Sequence, residues 1–352
     1  MSIVSLFSGC GGLDLGFSLA GFQVDWANEN DKSIWATYEF NHAGTILDKR
    51  DIRDVKSSEI PNCVGIIGGP PCQSWSEAGA GRGIDDFRGQ LFHEYIRIVK
   101  DKSPLFFVAE NVSGILAERH SHAFTNILYM FKDAGYKIAY KLLNAKYFDV
   151  PQDRQRVIIV GYREDMGGIF EFPNKKQKIS TLRDTIYDLS LAEPSATYQA
   201  RNDFTLIPNH EYLDMSFSSI YMSRNRVRGW DEPSFTIQAG GRHAPIHPQA
   251  SKMIFVEKDK RIFDPHSPKP YRRLSVRECA RIQTFPDDFI FKYDNISTGY
   301  KMVGNAVPVN LSKALASKIL IDVQEYQDTG YCSRLRQAQV PTQLTLLSAA
   351  GV

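Results

Sequence analysis

The chain has 352 residues, 43% of them hydrophobic and 23% charged, and a formal charge of +2 at pH 7. That balance excludes a disordered or fibrous protein and allows one large core plus a smaller second unit. The cysteines (Cys10, Cys63, Cys72, Cys279, Cys332) lack disulfide or zinc spacing, no apolar run is long enough to cross a bilayer, and the start MSIVSLFSGCGG is no signal peptide. A cytoplasmic protein with free thiols, no metal and no membrane contact is expected.

Short apolar runs at 3–7, 24–28, 64–67, 105–109 and 157–161 read as buried strands, with helical patterns near 31–41, 88–100 and 119–134 between them. This alternation implies an α/β fold: a doubly wound, mostly parallel, Rossmann-like sheet whose ligands bind at the carboxyl ends of the strands. From about 165 periodicity weakens and Pro, Asn, Ser and Arg become frequent, which reads as a smaller irregular domain over 165–275. Helices are expected at 275–283 and 308–323, the second opened by a proline, and 326–352 reads as a disordered tail. Arginines concentrate in this half (Arg224, Arg226, Arg228, Arg242, Arg272, Arg273), where phosphate contacts are expected.

The first strand runs into SGCGG, where Gly9, Gly11 and Gly12 permit a tight turn against a ligand. A dinucleotide fingerprint would need glycine where Asp14 stands, which argues against a nicotinamide enzyme. Glu29 follows the second strand at the position of a ribose-binding carboxylate, and Asp51 is a candidate acceptor for an adenine amino group. GGPPCQSWS sets Cys72 on a Pro-Pro loop at the ligand-binding edge, the placement of a nucleophilic thiol rather than of a core cysteine. ENV brings the carboxylate of Glu110 to the same edge, and QDRQR brings Arg154 and Arg156. The segment after Cys72 holds Gly79, Gly81 and Gly83, which suits a loop that closes on a substrate.

Taken in order, FSGCGG, Glu29, Asp51, GGPPCQSWS, ENV, QDRQR, RECARIQTFPDDF and GYKMVGNAVP resemble the motifs of the bacterial DNA cytosine-C5 methyltransferases, over roughly residues 3 to 323. Two departures are Ser5, where many relatives are acidic, and Arg50, where many have glycine. The resemblance implies S-adenosyl-L-methionine as cofactor, released as S-adenosyl-L-homocysteine. Phe7, Ile52, Pro70, Leu91 and Asn305 would join the glycines, Glu29 and Asp51 around it. It also implies a catalytic and cofactor-binding domain at 1–164, a target-recognition domain at 165–275 and a return to the catalytic domain at 276–325. Cys72 would attack a cytosine flipped out of double-stranded DNA, Glu110 would stabilise the ring, Arg156 would hold the base, and Arg154 would brace the Cys72 loop. Arg224, Arg226, Arg228 and Arg242 would read guanines, and MSRNRVRGWDEP and FTIQAGGRHAPIHPQA are similar to segments of the subgroup that modifies GGCC. A monomer paired functionally, without required contact, with a restriction endonuclease follows from the same resemblance. A tRNA cytosine methyltransferase and a non-catalytic cofactor-binding regulator are the rival readings; the long Arg-rich segment favours duplex DNA, and the presence of Cys72 and Glu110 favours an enzyme.

Overall fold

A computed structural model describes residues 1–71, 89–192, 194 and 207–333. Its centre is a seven-stranded sheet of order β3-β2-β1-β4-β5-β7-β6. The strands are β1 (Ser2–Leu6), β2 (Gln23–Asn28), β3 (Ile46–Asp48), β4 (Gly65–Gly68), β5 (Phe106–Val112), β6 (Tyr136–Asn144) and β7 (Gln155–Arg163). β1 to β5 run parallel, while β7 is antiparallel to both β5 and β6. Helices α1 (Gly12–Ala20), α2 (Lys32–Asn41), α3 (Gly89–Lys102) and α4 (Ser121–Asp133) connect the strands.

Strands covered on both faces are the ones that stand out as apolar runs: β1, β4 and most of β5 are buried without alternation. Two strands escape the sequence reading. β3 is only three residues long, and β6 is a half-exposed edge whose Lys137 and Lys141 interrupt the apolar pattern. α1 also escapes it, because Gly12 and Gly16 are poor helix formers.

The rest of the chain forms α5 (Leu182–Ile186), the hairpin β8 (Ile254–Glu257) and β9 (Lys260–Ile262), and α6 (Val276–Ile282), α7 (Ile296–Asn305) and α8 (Val309–Thr329). Packing shows no break at 275. Leu182, Ile186 and Ile237 share one core with Cys279, Ile282, Tyr300 and Val303. α8 returns to the sheet with Leu311, Leu315, Ile319 and Val323 at four-residue spacing on one buried stripe. Its buried Asp322 accepts from Tyr162 Oη of β7 and from Lys318 Nζ, each at 2.9 Å. The tail expected from 326 must be corrected: α8 runs to Thr329, and Cys332 is buried against the same core. Residues 334–352 lie outside the description.

α1 and α8 touch at Gly16, where an added Cβ would lie 2.3 Å from Ser312 Cβ and 2.7 Å from the Val309 carbonyl. In an exposed helix Gly→Ala stabilises by roughly 0.5–1 kcal/mol. Here Gly16→Ala is expected instead to destabilise by about 1–3 kcal/mol through overpacking, read as a lower urea midpoint with unchanged slope.

Candidate active site

The turn after β1 has three left-handed residues, Phe7 (φ 55°), Gly9 (φ 57°) and Gly11 (φ 86°). Two are glycines at no steric cost; Phe7 carries local strain, a feature that concentrates at ligand sites. Gly11 caps α1, and a Cβ there would meet the His42 ring at 2.0 Å. Glu29, at the end of β2, secures the turn: one carboxylate oxygen accepts from Gly9 N (2.9 Å) and the other from Asp31 N (2.8 Å). Burial raises its pKa, and each oxygen keeps a lone pair for a further donor. Asp51 caps a short 3-10 turn and pairs with Arg53 at 2.6 Å, which lowers its pKa.

These residues surround a cavity of about 430 Å³ at the carboxyl ends of β1, β2 and β4, large enough for a nucleoside-sized ligand. Phe7, Gly9, Gly12, Glu29, Asp51, Ile52, Pro70, Leu91 and Asn305 all line it; Gly11 stands outside the lining. Two further lining groups carry charge that the sequence reading did not assign to the site. Lys301 of α7 pairs with Asp31 at the rim, tying the chain's far end to the β2–α2 loop. Asp14 is fully buried, accepts from Ser5 Oγ (2.7 Å) and Tyr38 Oη (2.6 Å), and has its pKa raised by burial. That contact explains the Ser5 departure, since an acid there would face a second buried carboxylate. The departure at Arg50 is accommodated on the surface, where its guanidinium pairs with Asp48 and Glu59.

The same sheet edge brings Glu110 and Arg156 together. Val112 of β5 pairs with Arg156 of β7, and Glu110 stands two residues back on the same face. The Glu110 carboxylate and Arg156 Nε are 2.8 Å apart, both largely buried. Burial works against the Arg156 charge and Glu110 supports it. Asn111 Nδ2 donates to the Pro70 carbonyl (3.2 Å), and Glu110 Oε2 lies close against Gly69, so β5 anchors the Pro-Pro turn. Cys72 and the glycines Gly79, Gly81 and Gly83 lie outside the described residues; Pro71, the residue before Cys72, lines the cavity.

The described partners of Arg154 lie away from the Pro70–Pro71 turn, and the rest of the Cys72 loop it was expected to brace is outside the described residues. The Arg154 guanidinium is wholly buried and donates to the carbonyls of Ile237 (2.9 Å), Gly304 (2.8 Å) and Ala306 (3.1 Å), and its Nε finds no acceptor among the described residues. A strand alternates its side chains, and Arg154 and Arg156 share a parity, but β7 begins at Gln155 and the chain ahead of it turns. Arg154 therefore braces the segment holding Asn305 rather than any described part of the Cys72 loop. Gln152 cooperates: it accepts from Ile237 N (2.9 Å) and donates to Gln283 (2.8 Å), whose own amide donates to Val303 and Ala306 carbonyls.

The arginines expected at DNA divide. Arg224 and Arg242 are exposed, and their side chains make no hydrogen bond or ion pair among the described residues. Arg226 lies over the Tyr221 ring at 4.8 Å and donates to the carbonyls of Tyr221 and Ile220. Arg228 is committed to Glu232 (3.2 Å) and the Phe235 ring. Arg272 and Arg273, expected at phosphates, are buried. Arg272 grips Glu278 through two bonds of 2.8 and 2.7 Å and helps hold that carboxyl at a pKa of about 2, while Arg273 donates to the Leu213 and Met215 carbonyls. The sequence shows charge but not burial, so it cannot separate these two kinds of arginine.

Sheet order, glycine turn and cavity are those of the S-adenosylmethionine-dependent methyltransferase fold. The family model for C-5 cytosine-specific DNA methylases matches residues 1–320, and the chain belongs to that family. It is 60% identical over 325 residues to the type II methyltransferase M.MthTI of Methanothermobacter thermautotrophicus, covering 92% of this chain and 98% of the relative. It is 53% identical over 326 residues to M.FnuDI of Fusobacterium nucleatum, covering 91% and 94%. A crystal structure of a putative DNA modification methyltransferase encoded within an E. coli prophage superposes with a TM-score of 0.70 at 24% identity, covering 92% of this chain and 99% of that one. Among the described residues no group of His, Cys, Asp or Glu is placed to hold a metal, and no helix is long and apolar enough to cross a membrane.

Arg154→Ala leaves the Ile237 and Gly304 carbonyls without these donors, at about 1–3 kcal/mol for each buried orphan. The variant is expected to lose at least about 2 kcal/mol in urea unfolding, although residue 154 itself does not line the cavity.

Proposed function

We propose that this chain methylates C5 of a cytosine flipped out of duplex DNA, within a short site of the GGCC type, and serves a type II restriction-modification system. The observation that carries the reading is the Glu110–Arg156 pair beside the anchored Pro70–Pro71 turn, at the mouth of the nucleoside-sized cavity.

Cytosine C5 is a weak nucleophile until a group adds at C6. Cys72, next after Pro71 in the chain, is the proposed adding group, acting as the thiolate. Glu110, in its protonated form, would donate a proton or a hydrogen bond to N3 and so stabilise the charge developing on the ring, and Arg156 would hold both Glu110 and the base O2. The cavity suits S-adenosylmethionine: Glu29 has lone pairs for ribose hydroxyls, Asp51 faces the cavity as an acceptor for an adenine amino group, and Phe7, Ile52, Pro70 and Leu91 supply apolar walls. When bound, that cofactor supplies an electrophilic methyl carbon. Loss of the C5 proton and departure of the Cys72 thiolate would restore aromaticity. The base must leave the stack for these groups to reach it.

Cys72→Ala is expected to abolish methyl transfer while S-adenosylmethionine binding, followed calorimetrically, is retained. A duplex with 5-fluorocytosine at the target should give a denaturant-stable adduct, since fluorine occupies the place of the departing proton. Turnover by the alanine variant, or no adduct with the unaltered chain, would remove the covalent scheme.

For recognition, the exposed Arg224 and Arg242 are the proposed guanine readers, with Arg226 beside them and Arg228 a brace. Arg242→Ala should cost about 1–3 kcal/mol on the cognate duplex and relax discrimination at one position. Equal weakening on GGCC and on every single-base variant, with a salt slope lower by about one, would assign it to phosphate instead.

A further inference from the structure

We propose that lysines at the end of β6 form a second DNA-backbone site, taking phosphates beside the target independently of the arginine-rich recognition segment. The proposal rests on the reading that the substrate is duplex DNA. Its basis is placement. β7 is antiparallel to β5 and to β6, so the carboxyl end of β6 lies on the same sheet edge as Glu110 and Arg156.

Ile158 of β7 pairs with Glu110 on one side and Lys141 on the other. Two strand spacings put Lys141 roughly 10 Å from Glu110, on the same level of the sheet. Beyond β6, Lys146 stands on the turn that follows Asn144. After β7 the chain returns to this edge, where Lys176 N donates to the Tyr147 carbonyl at 2.9 Å, and so delivers the NKKQK run to the same corner.

The cluster is built rather than scattered. Lys146 and Lys175 stand over the Tyr147 ring at 5.4 and 5.0 Å, and Lys141 lies 5.9 Å from the Phe172 ring. Lys146 is directed further by Asp153 at 3.6 Å, and Lys176 by Asp149. Lys141, Lys175 and Lys178 are exposed and form no ion pair among the described residues. Aromatic-backed ammonium groups with unused donors, flanking a site that must hold an extruded nucleotide, fit a phosphodiester backbone. The competing account is that edge-strand lysines merely discourage strand pairing between molecules.

The test uses the full chain carrying Lys141→Ala, Lys175→Ala and Lys178→Ala together, with the triple Lys→Arg variant as control. Binding to a GGCC duplex and to a duplex lacking the site is measured over a salt series. If each lysine meets a phosphate, the slope of log K against log salt falls by about 0.9 for each lysine lost. For three lysines, the unaltered chain should lose about 40-fold more affinity than the triple alanine variant across a fourfold rise in salt. Both duplexes should weaken alike, the turnover number at saturating DNA should hold while KM for DNA rises, and the arginine control should keep the slope. An unchanged slope in the alanine variant, with normal duplex methylation by the unaltered chain, overturns the lysine site alone. Failure of the unaltered chain to bind either duplex overturns the duplex reading and this site together.

Discussion

Arg154 donates to Ile237 with one nitrogen and to Gly304 and Ala306 with the other, and much of the arrangement of this molecule follows from those bonds. A buried guanidinium that contacts no carboxylate among the described residues is expensive unless its donors are used. Carbonyls from two distant stretches meet that demand for the two terminal nitrogens, so the chain ahead of β7 becomes a point where the segment around Ile237 and the C-terminal return are fastened to the sheet. Gln152 and Gln283 extend the fastening, since each amide donates and accepts and none of their described bonds points to solvent.

One consequence concerns the cavity. Asn305 lies between two of the carbonyls that Arg154 holds, and Lys301, on the same helix, closes the rim through Asp31. A wall of the site thus comes from residues about 300 positions away from the glycine turn it faces. The opposite wall depends on Glu29, which is tied to the backbone at Gly9 and Asp31 and so is oriented before any ligand arrives. Other arginines are spent internally too: with Arg272, Arg273 and Arg277 committed to internal carbonyls and to Glu278, the exposed cations of this half of the chain are fewer than the composition suggests.

Much of this was legible in the residues alone. Strands buried on both faces announce themselves as apolar runs, and the doubly wound order then places Gly9, Glu29 and Asp51 after strands, and Glu110 near the end of another, on one edge without any coordinates. Edge strand β6 and glycine-containing α1 were not legible, because lysines on one and glycines on the other conceal the periodicity. The end of α8 was not legible either, since its last turn is polar and is held by Tyr326 meeting Asp165 and by the burial of Cys332.

The sequence by itself determined the sheet class and the order of the motifs, because each depends on residue type and on local spacing. Tertiary structure decided which of two arginines, two positions apart, faces Glu110 and which is a buried fastener. It also decided which of the arginines expected at DNA are exposed and which are committed to partners among the described residues. Both outcomes turn on burial, which no local pattern encodes, and the first also turns on partners more than 80 residues away in the chain, as in the bond from Arg154 to Ile237.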